Sequence, residues 1–416
     1  MRRFLRSVLP AFFLAISVGQ IYAFTIFSDP IARAIAATPE EAAALRASVQ
    51  FAFSLGIFFL GMGAAFFGRI VERNIRVATI IGTSLFLGGL YTTALGISLK
   101  SLALIYLGYG FLVGTGTGII YISPVKTMML WFPKAKALAA SLPIISFGLG
   151  SSLCTILYKG FSLSMFEQTY SFAGIGGIFP ITESFIAFAV VYACMMIPMA
   201  FFLKKPQSEV QVVNNNTYTA VDVFRYVNII FNNRFVRMWI FMFLNISCGL
   251  CLIPLAKQLM ADIPSYTQSF VVGVLLVMGL MNGAGRFVFA WWSDRLRIRN
   301  NILLIILGIS SVAMVMPILF PQTLAWALIL IPACYGAGFS VLPAILSDMF
   351  GMKDISKIHG LVLSAWGVAG LVGNQAALPV FSSWGAVGVC LLVASGYLLN
   401  IWNIVALNQT LAKDRN

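Results

Sequence analysis

Twelve separate runs of about 20 predominantly apolar residues punctuate the chain, and they leave few folds open to it. They cover approximately 7–28, 48–67, 77–98, 101–124, 137–157, 181–203, 238–259, 268–292, 301–320, 322–345, 359–381 and 384–407. A helix crossing about 30 Å of hydrocarbon needs a run of this length, because in lipid every backbone N–H and C=O must be satisfied within the segment. The runs are continuous rather than alternating, which argues against a β-barrel. Hydrophobic residues make up 60% of the 416 positions and charged ones 10%. A soluble domain carries roughly 25% charge, so a soluble enzyme is excluded, and so is a disordered chain. The first run ends at Ser28, Asp29 and Pro30 without a small-x-small cleavage site, so it is read as a retained helix. The expected fold is an all-α membrane protein with twelve transmembrane helices.

A net charge of +14 suggests nucleic acid, but its distribution points elsewhere. With the N-terminus inside, the cytoplasmic segments hold 20 Lys and Arg and the outer ones five. This is the positive-inside bias of a protein in the plasma (inner) membrane, and it predicts both termini in the cytoplasm. The expected surroundings are a lipid bilayer, with no nucleic-acid partner and a monomeric chain. Two cations, Lys126 and Arg286, fall within spans.

The order of motifs predicts a duplicated bundle. Residues 1–203 form an N-terminal six-helix bundle, 204–237 a cytoplasmic linker and 238–416 a C-terminal six-helix bundle. A small residue, three others, an acid and Arg end in Glu72 and Arg73 after the second run, and in Asp294 and Arg295 after the eighth, 222 residues later. Pro124 aligns with Pro343, Phe132 with Phe350 and Gly148 with Gly367 at offsets of 218–219. Parallel halves of this kind build one large class of secondary transporters, with the substrate bound near the midplane. Within the linker, 221–231 reads as a short interfacial helix or a plain loop, and the sequon at Asn215 falls on the cytoplasmic side, where it stays unused. Cys248 and Cys251 form a CxxC pair without a second pair or nearby His, and are read as small packing residues. No metal, cofactor or catalytic residue is expected, and enzymatic function has no support.

Over essentially its whole length the sequence resembles the major facilitator superfamily, and more narrowly the oxalate/formate antiporter family related to monocarboxylate transporters. The resemblance is carried by Gly19 through Phe27, Val49 and Gln50, Trp131 to Pro133, Ser146 to Gly150, Asn282 to Arg286 with Ser293 and Asp294, and Leu342 and Pro343 with Ser347 to Gly351. It implies that the loops bearing Glu72, Arg73, Asp294 and Arg295 brace the cytoplasmic gate, with Glu72 replacing the usual Asp.

Arg286 is the strongest candidate for chemistry. It lies eight residues before Asp294, about 12 Å into the membrane at 1.5 Å per residue. A charge there is costly unless it faces a wet cavity or a partner, and no Asp or Glu falls deep in any marked run. The guanidinium fork fits a carboxylate in two bonds, so the expected ligand is a small organic anion. The family resemblance implies the same role. Asn282, four residues earlier on the same face, orients the guanidinium or bonds the substrate, or else bridges helices. Lys126 adds positive potential to the cavity or snorkels from a helix end. The resemblance implies that Tyr22, Phe147, Tyr335, Phe339 and Trp366 cage the ligand and that Gln50 lies on the substrate side. For any one of these aromatics, core packing is the rival reading.

The family's dicarboxylate exchanger carries a Lys in the eleventh helix, and Trp366 stands at that position here. A monocarboxylate such as a short 2-oxo or 2-hydroxy acid is therefore favoured over oxalate. His359 reads as a solvated helix-end residue. The glycines of the fourth run, Gly110, Gly114 and Gly118, are spaced by four, as in a packing face and unlike a phosphate loop. Asp29, Glu183 and Asp262 sit at the outer edge, so a buried proton relay is not supported. The expected function is a secondary active transporter of a small organic anion by alternating access, as an antiporter exchanging anions or a proton-coupled symporter. The rivals are an efflux transporter of a larger compound and a non-transporting nutrient sensor.

Overall fold

A computed structural model describes residues 3–165, 168–206, 228–253, 255–261 and 263–413. Among them, twelve helices are long and apolar enough to cross a membrane. They are α1 (Phe4–Ala23), α2 (Pro39–Arg73), α3 (Ile75–Ser98), α4 (Leu102–Trp131), α5 (Lys136–Lys159) and α6 (Ile181–Phe202), followed by α7 (Asn233–Leu252), α8 (Gln268–Ser293), α9 (Asn301–Leu319), α10 (Pro321–Phe350), α11 (Ile355–Val372) and α12 (Ala377–Lys413). Residues 207–227, with the Asn215 sequon and most of the 221–231 segment, lie outside the described residues, as does Asp262. A two-stranded antiparallel hairpin, β1 (Gly160–Met165) and β2 (Gln168–Ala173), follows α5 and has no counterpart in the sequence expectations.

Helix ends follow caps, not hydropathy. α2 begins nine residues before its apolar run because Thr38 accepts from Glu41 N at 3.2 Å, Glu41 accepts from Ala37 N at 2.7 Å, and Pro39 occupies the first turn. Asn74 ends α2 and caps α3 by accepting from Val77 N at 3.2 Å. Thr267 opens α8 in the same way. The first apolar run is not one uniform helix: Gly19–Ala23 tightens to 3-10 geometry before a further helix over Thr25–Ile35.

The chain divides into two compact units, Met1–Trp131 with Leu142–Lys205, and Phe132–Ser141 with Pro206–Asn416. In the first unit, α4 packs through glycine. Gly110, Gly114 and Gly118 lie against Leu55, Gly56 and Leu60 of α2, while Gly108 and Gly116 lie against α3. Close backbone approach replaces the hydrophobic effect, which is weak between helices in lipid. A Cβ on Gly118 would overlap the Leu60 carbonyl oxygen, whereas one on Gly88 would meet nothing within 4 Å. Gly118→Val is therefore expected to lower the melting temperature in detergent sharply, by overpacking that costs about 1–3 kcal/mol or more. Gly88→Ala should melt with the native protein, and equal behaviour of the two would refute the packing assignment.

In the second unit, α10 is the central helix, with 89% of its apolar window buried. Side-chain amides tie α12 to α7: Asn400 donates to the Phe241 carbonyl at 3.0 Å and Asn403 to the Arg237 carbonyl at 2.8 Å. Such bonds hold helices together where apolar contact gives no preference over lipid. Cys248 and Cys251 are buried in this unit, the Cys248 thiol 3.7 Å from the Val393 carbonyl on α12.

Candidate functional site

The second unit assembles a charged and aromatic group around Arg286. This residue sits seven positions before the end of α8, about 10 Å along the axis at 1.5 Å per residue, and is 4% exposed. Its Nε donates to Asn282 Oδ1 at 3.0 Å, one turn earlier on the same face. That bond fixes the plane of the guanidinium. Its central carbon lies 5.8 Å from the centre of the Phe339 ring, a cation–π distance. Phe339 in turn meets Tyr335 at 5.3 Å and, edge to face, Trp366 of α11 at 4.7 Å.

Glycines make this closeness possible. A Cβ on Gly336 would overlap Asn282 and crowd the Arg286 side chain, and one on Gly249 of α7 would overlap the Tyr335 ring. Asn245, also on α7 and fully buried, donates to the Tyr335 carbonyl at 3.4 Å. Five of the sequence candidates, Arg286, Asn282, Tyr335, Phe339 and Trp366, thus form one contiguous set. A buried guanidinium beside an aromatic ring is a candidate for holding an anion, because low polarity around it strengthens its field.

The first unit holds an aromatic set of its own. Tyr22 and Phe147 meet edge to face at 5.5 Å, and Tyr121 meets Phe147 at 5.2 Å. Tyr121 was not among the sequence candidates, and no motif marks it. Gln50 is half-buried a third of the way along α2, not at its start, because capping at Thr38 lengthens the helix.

Lys126 corrects the sequence reading. It is neither free for a ligand nor snorkelled, but forms an ion pair with Glu72, each 5% exposed. Glu72 lies beyond the marked apolar run, but α2 runs on to Arg73 and carries it in its last turn, where it reaches Lys126. The missed signal was the buried cation's own need for a counter-ion. Lys205 adds a bond from Nζ to the Glu72 carbonyl at 2.8 Å. His359 is 2% exposed, so it is not the solvated helix-end residue expected.

The acid after α8 works differently from its counterpart in the last turn of α2. Asp294 accepts from the backbone N–H of Ala137 at 3.1 Å and of Leu138 at 2.8 Å, at the start of α5, and it pairs with Arg299. A carboxylate at a helix start satisfies unbonded N–H groups and complements the helix dipole. Arg299 also reaches Asp348 at 2.7 Å, and Lys136 reaches Asp348 at 3.2 Å. Burial works against the charge on Arg299, but hydrogen bonds to Asp294 and Asp348 outweigh it and hold the guanidinium above the ordinary arginine range. Arg295, the cation expected in this role, stacks instead on Trp291 with 3.8 Å from its central carbon to the ring centre. Its helix ends at Ser293, so it points back along α8, while the following turn delivers Arg299 to the acids.

The Major Facilitator Superfamily family model matches residues 8–374. The uncharacterized MFS-type transporter YhjX of Escherichia coli is 25% identical over 370 residues, covering 85% of this chain and 83% of that one. The oxalate:formate antiporter of Oxalobacter formigenes is 21% identical over 395 residues, with 92% and 86% covered. The apicoplast pyruvate carrier 1 of Toxoplasma gondii is 21% identical over 336 residues, with 67% and 60% covered. Among solved structures, the E. coli fucose:proton symporter FucP superposes with a TM-score of 0.68 at 14% identity, covering 96% of this chain and 97% of that one. Twelve apolar helices, this shared fold and a family match across most of its length make the chain a multi-pass membrane transporter, not an enzyme, and a member of the Major Facilitator Superfamily.

Proposed function

We propose that the protein carries a small monocarboxylate, a short 2-oxo or 2-hydroxy acid, and that Arg286 binds its carboxylate. The observation that carries this reading is a buried guanidinium whose Nε is fixed by Asn282 and whose central carbon lies 5.8 Å from the Phe339 ring centre. A guanidinium oriented in advance offers its fork to a planar carboxylate with little loss of side-chain freedom. Tyr335, Phe339 and Trp366 supply the apolar wall that strips water from the anion. Two relatives named for an oxalate:formate exchange and for pyruvate support the ligand class. Trp366 and the pairing of Lys126 with Glu72 both favour one carboxylate over two, since Trp366 carries no charge and the Lys126 ammonium is taken up by Glu72.

Tyr22, Gln50 and Phe147 of the first unit are proposed as further substrate contacts. We assign Asp294, with Arg299 and Asp348, as a clasp on the start of α5 that opens and closes during alternating access, and Glu72 and Arg73 as its counterpart in the first unit. The relative named as an oxalate:formate antiporter supports antiport as the coupling. The test is a substrate panel in proteoliposomes loaded with unlabelled anion. Labelled pyruvate or lactate should exchange at least about tenfold faster than oxalate, a difference of about 1.4 kcal/mol. Exchange of oxalate at equal or higher rate refutes the monocarboxylate assignment, and no exchange of any of these anions refutes the carboxylate reading.

A further inference from the structure

At the end of the second unit that carries the α8–α9 loop, a cavity of about 390 Å³ is lined by Arg234, Arg297, Arg299, Asn300, Asp348 and Leu411. Three arginines and one acid, Asp348, line it, and even with Asp294, which also pairs with Arg299, the cluster keeps a positive excess that favours an anion. Arg299 gives its Nε to Asp348 and an Nη to Asp294, which fixes it in place, so the two-bond contacts to a ligand fall to Arg234 and Arg297, and Arg299 adds its remaining Nη. Arginine forks match phosphate oxygens in two parallel bonds, as they match carboxylates.

The surroundings define which phosphate. Trp291 and Trp292, just before the loop, are 43% and 38% exposed, and Phe231 and Ile298 are also exposed. Exposed tryptophan at the end of a spanning helix marks the boundary between hydrocarbon and headgroups. The cavity therefore lies at headgroup level, and Leu411 and Met349 add apolar surface beside the arginines. The Lys and Arg excess assigns this end to the cytoplasmic leaflet, where anionic lipids concentrate and where basic pockets between helices take their headgroups.

We propose that this cavity binds the phosphate of an anionic phospholipid, with Arg234 and Arg297 as its sides and Arg299 as its floor. Because Arg299 also pairs with Asp294, the lipid touches the cation that braces the start of α5, and bilayer composition tunes the clasp. Free inorganic phosphate shares the recognition chemistry, and the experiment separates the two sources.

The full chain in detergent is melted with dispersed dioleoylphosphatidylglycerol, with dioleoylphosphatidylcholine, or with inorganic phosphate. Phosphatidylglycerol should raise the melting temperature saturably, and the Arg234→Gln/Arg297→Gln double variant should need at least about ten times more lipid for half the effect. Arg46→Gln, an exposed arginine elsewhere, should respond as the native chain does. Arg297 is exposed, so Arg297→Gln on its own decides the matter if the double variant does not fold, with an expected rise of at least about threefold. An unchanged lipid response in these variants overturns the proposal. So does equal protection by phosphatidylcholine, or the same protection by inorganic phosphate.

Discussion

Arg286→Ala is expected to abolish carboxylate uptake while leaving a folded protein. Truncating one partner of a buried, hydrogen-bonded charge pair costs about 2–5 kcal/mol, and each 1.4 kcal/mol is tenfold. The loss in uptake at low substrate concentration is therefore roughly 30- to 3,000-fold. Arg286→Lys keeps the charge but loses both the fork and the Nε bond to Asn282, so it should fall between alanine and the native residue. Asn282→Ala keeps the fork and frees its plane, and should raise the substrate concentration needed more than it lowers the maximal rate. Initial rates of labelled pyruvate and lactate uptake into proteoliposomes, on variants matched for monodispersity, decide the matter. Native uptake by Arg286→Ala would leave the binding proposal without its anchor.

Breaking the Glu72–Lys126 pair should have the largest effect on stability. Glu72→Gln leaves an ammonium buried in the first unit without its carboxylate, and removing one member of a buried pair costs about 3–5 kcal/mol. Replacing both members with neutral residues of similar volume is often neutral or stabilising, because neither charge then has to be desolvated. Glu72→Gln and Lys126→Met should each melt well below the native protein, while Glu72→Gln/Lys126→Met recovers most of the loss. A double variant as unstable as the sum of the singles would mean that the two side chains act independently. Its transport rate carries separate information. Retained uptake assigns the pair a structural role, and lost uptake in a stable double variant supports its proposed part in gating.

Much of the architecture was legible because it follows from local rules. Twelve apolar runs mark twelve helices, since backbone groups in lipid have no other partner. Arg286 stood out for a similar reason: a cation in hydrocarbon is costly wherever the chain folds. The four-residue glycine spacing in α4 marked a packing face, and the structure lays that face on α2. Hydropathy could not give the true start of α2, because Thr38 and Glu41 set it through hydrogen bonds outside the membrane. The β1–β2 hairpin left no mark in the hydropathy because two six-residue strands are too short to set up a periodic pattern.

The sequence by itself determined the number of spans, the membrane setting and the repeated order of motifs, because composition and spacing are properties of short segments. Partnership was decided only in three dimensions. Glu72 lies 54 positions from Lys126, and Asp348 lies 49 from Arg299. Charges so far apart along the chain meet only once helices have packed, and on a charged loop nothing local distinguishes Arg295 from Arg299. Ion pairs, ring contacts and the cavity of arginines are products of packing, since their energy depends on distance and burial that no linear pattern encodes.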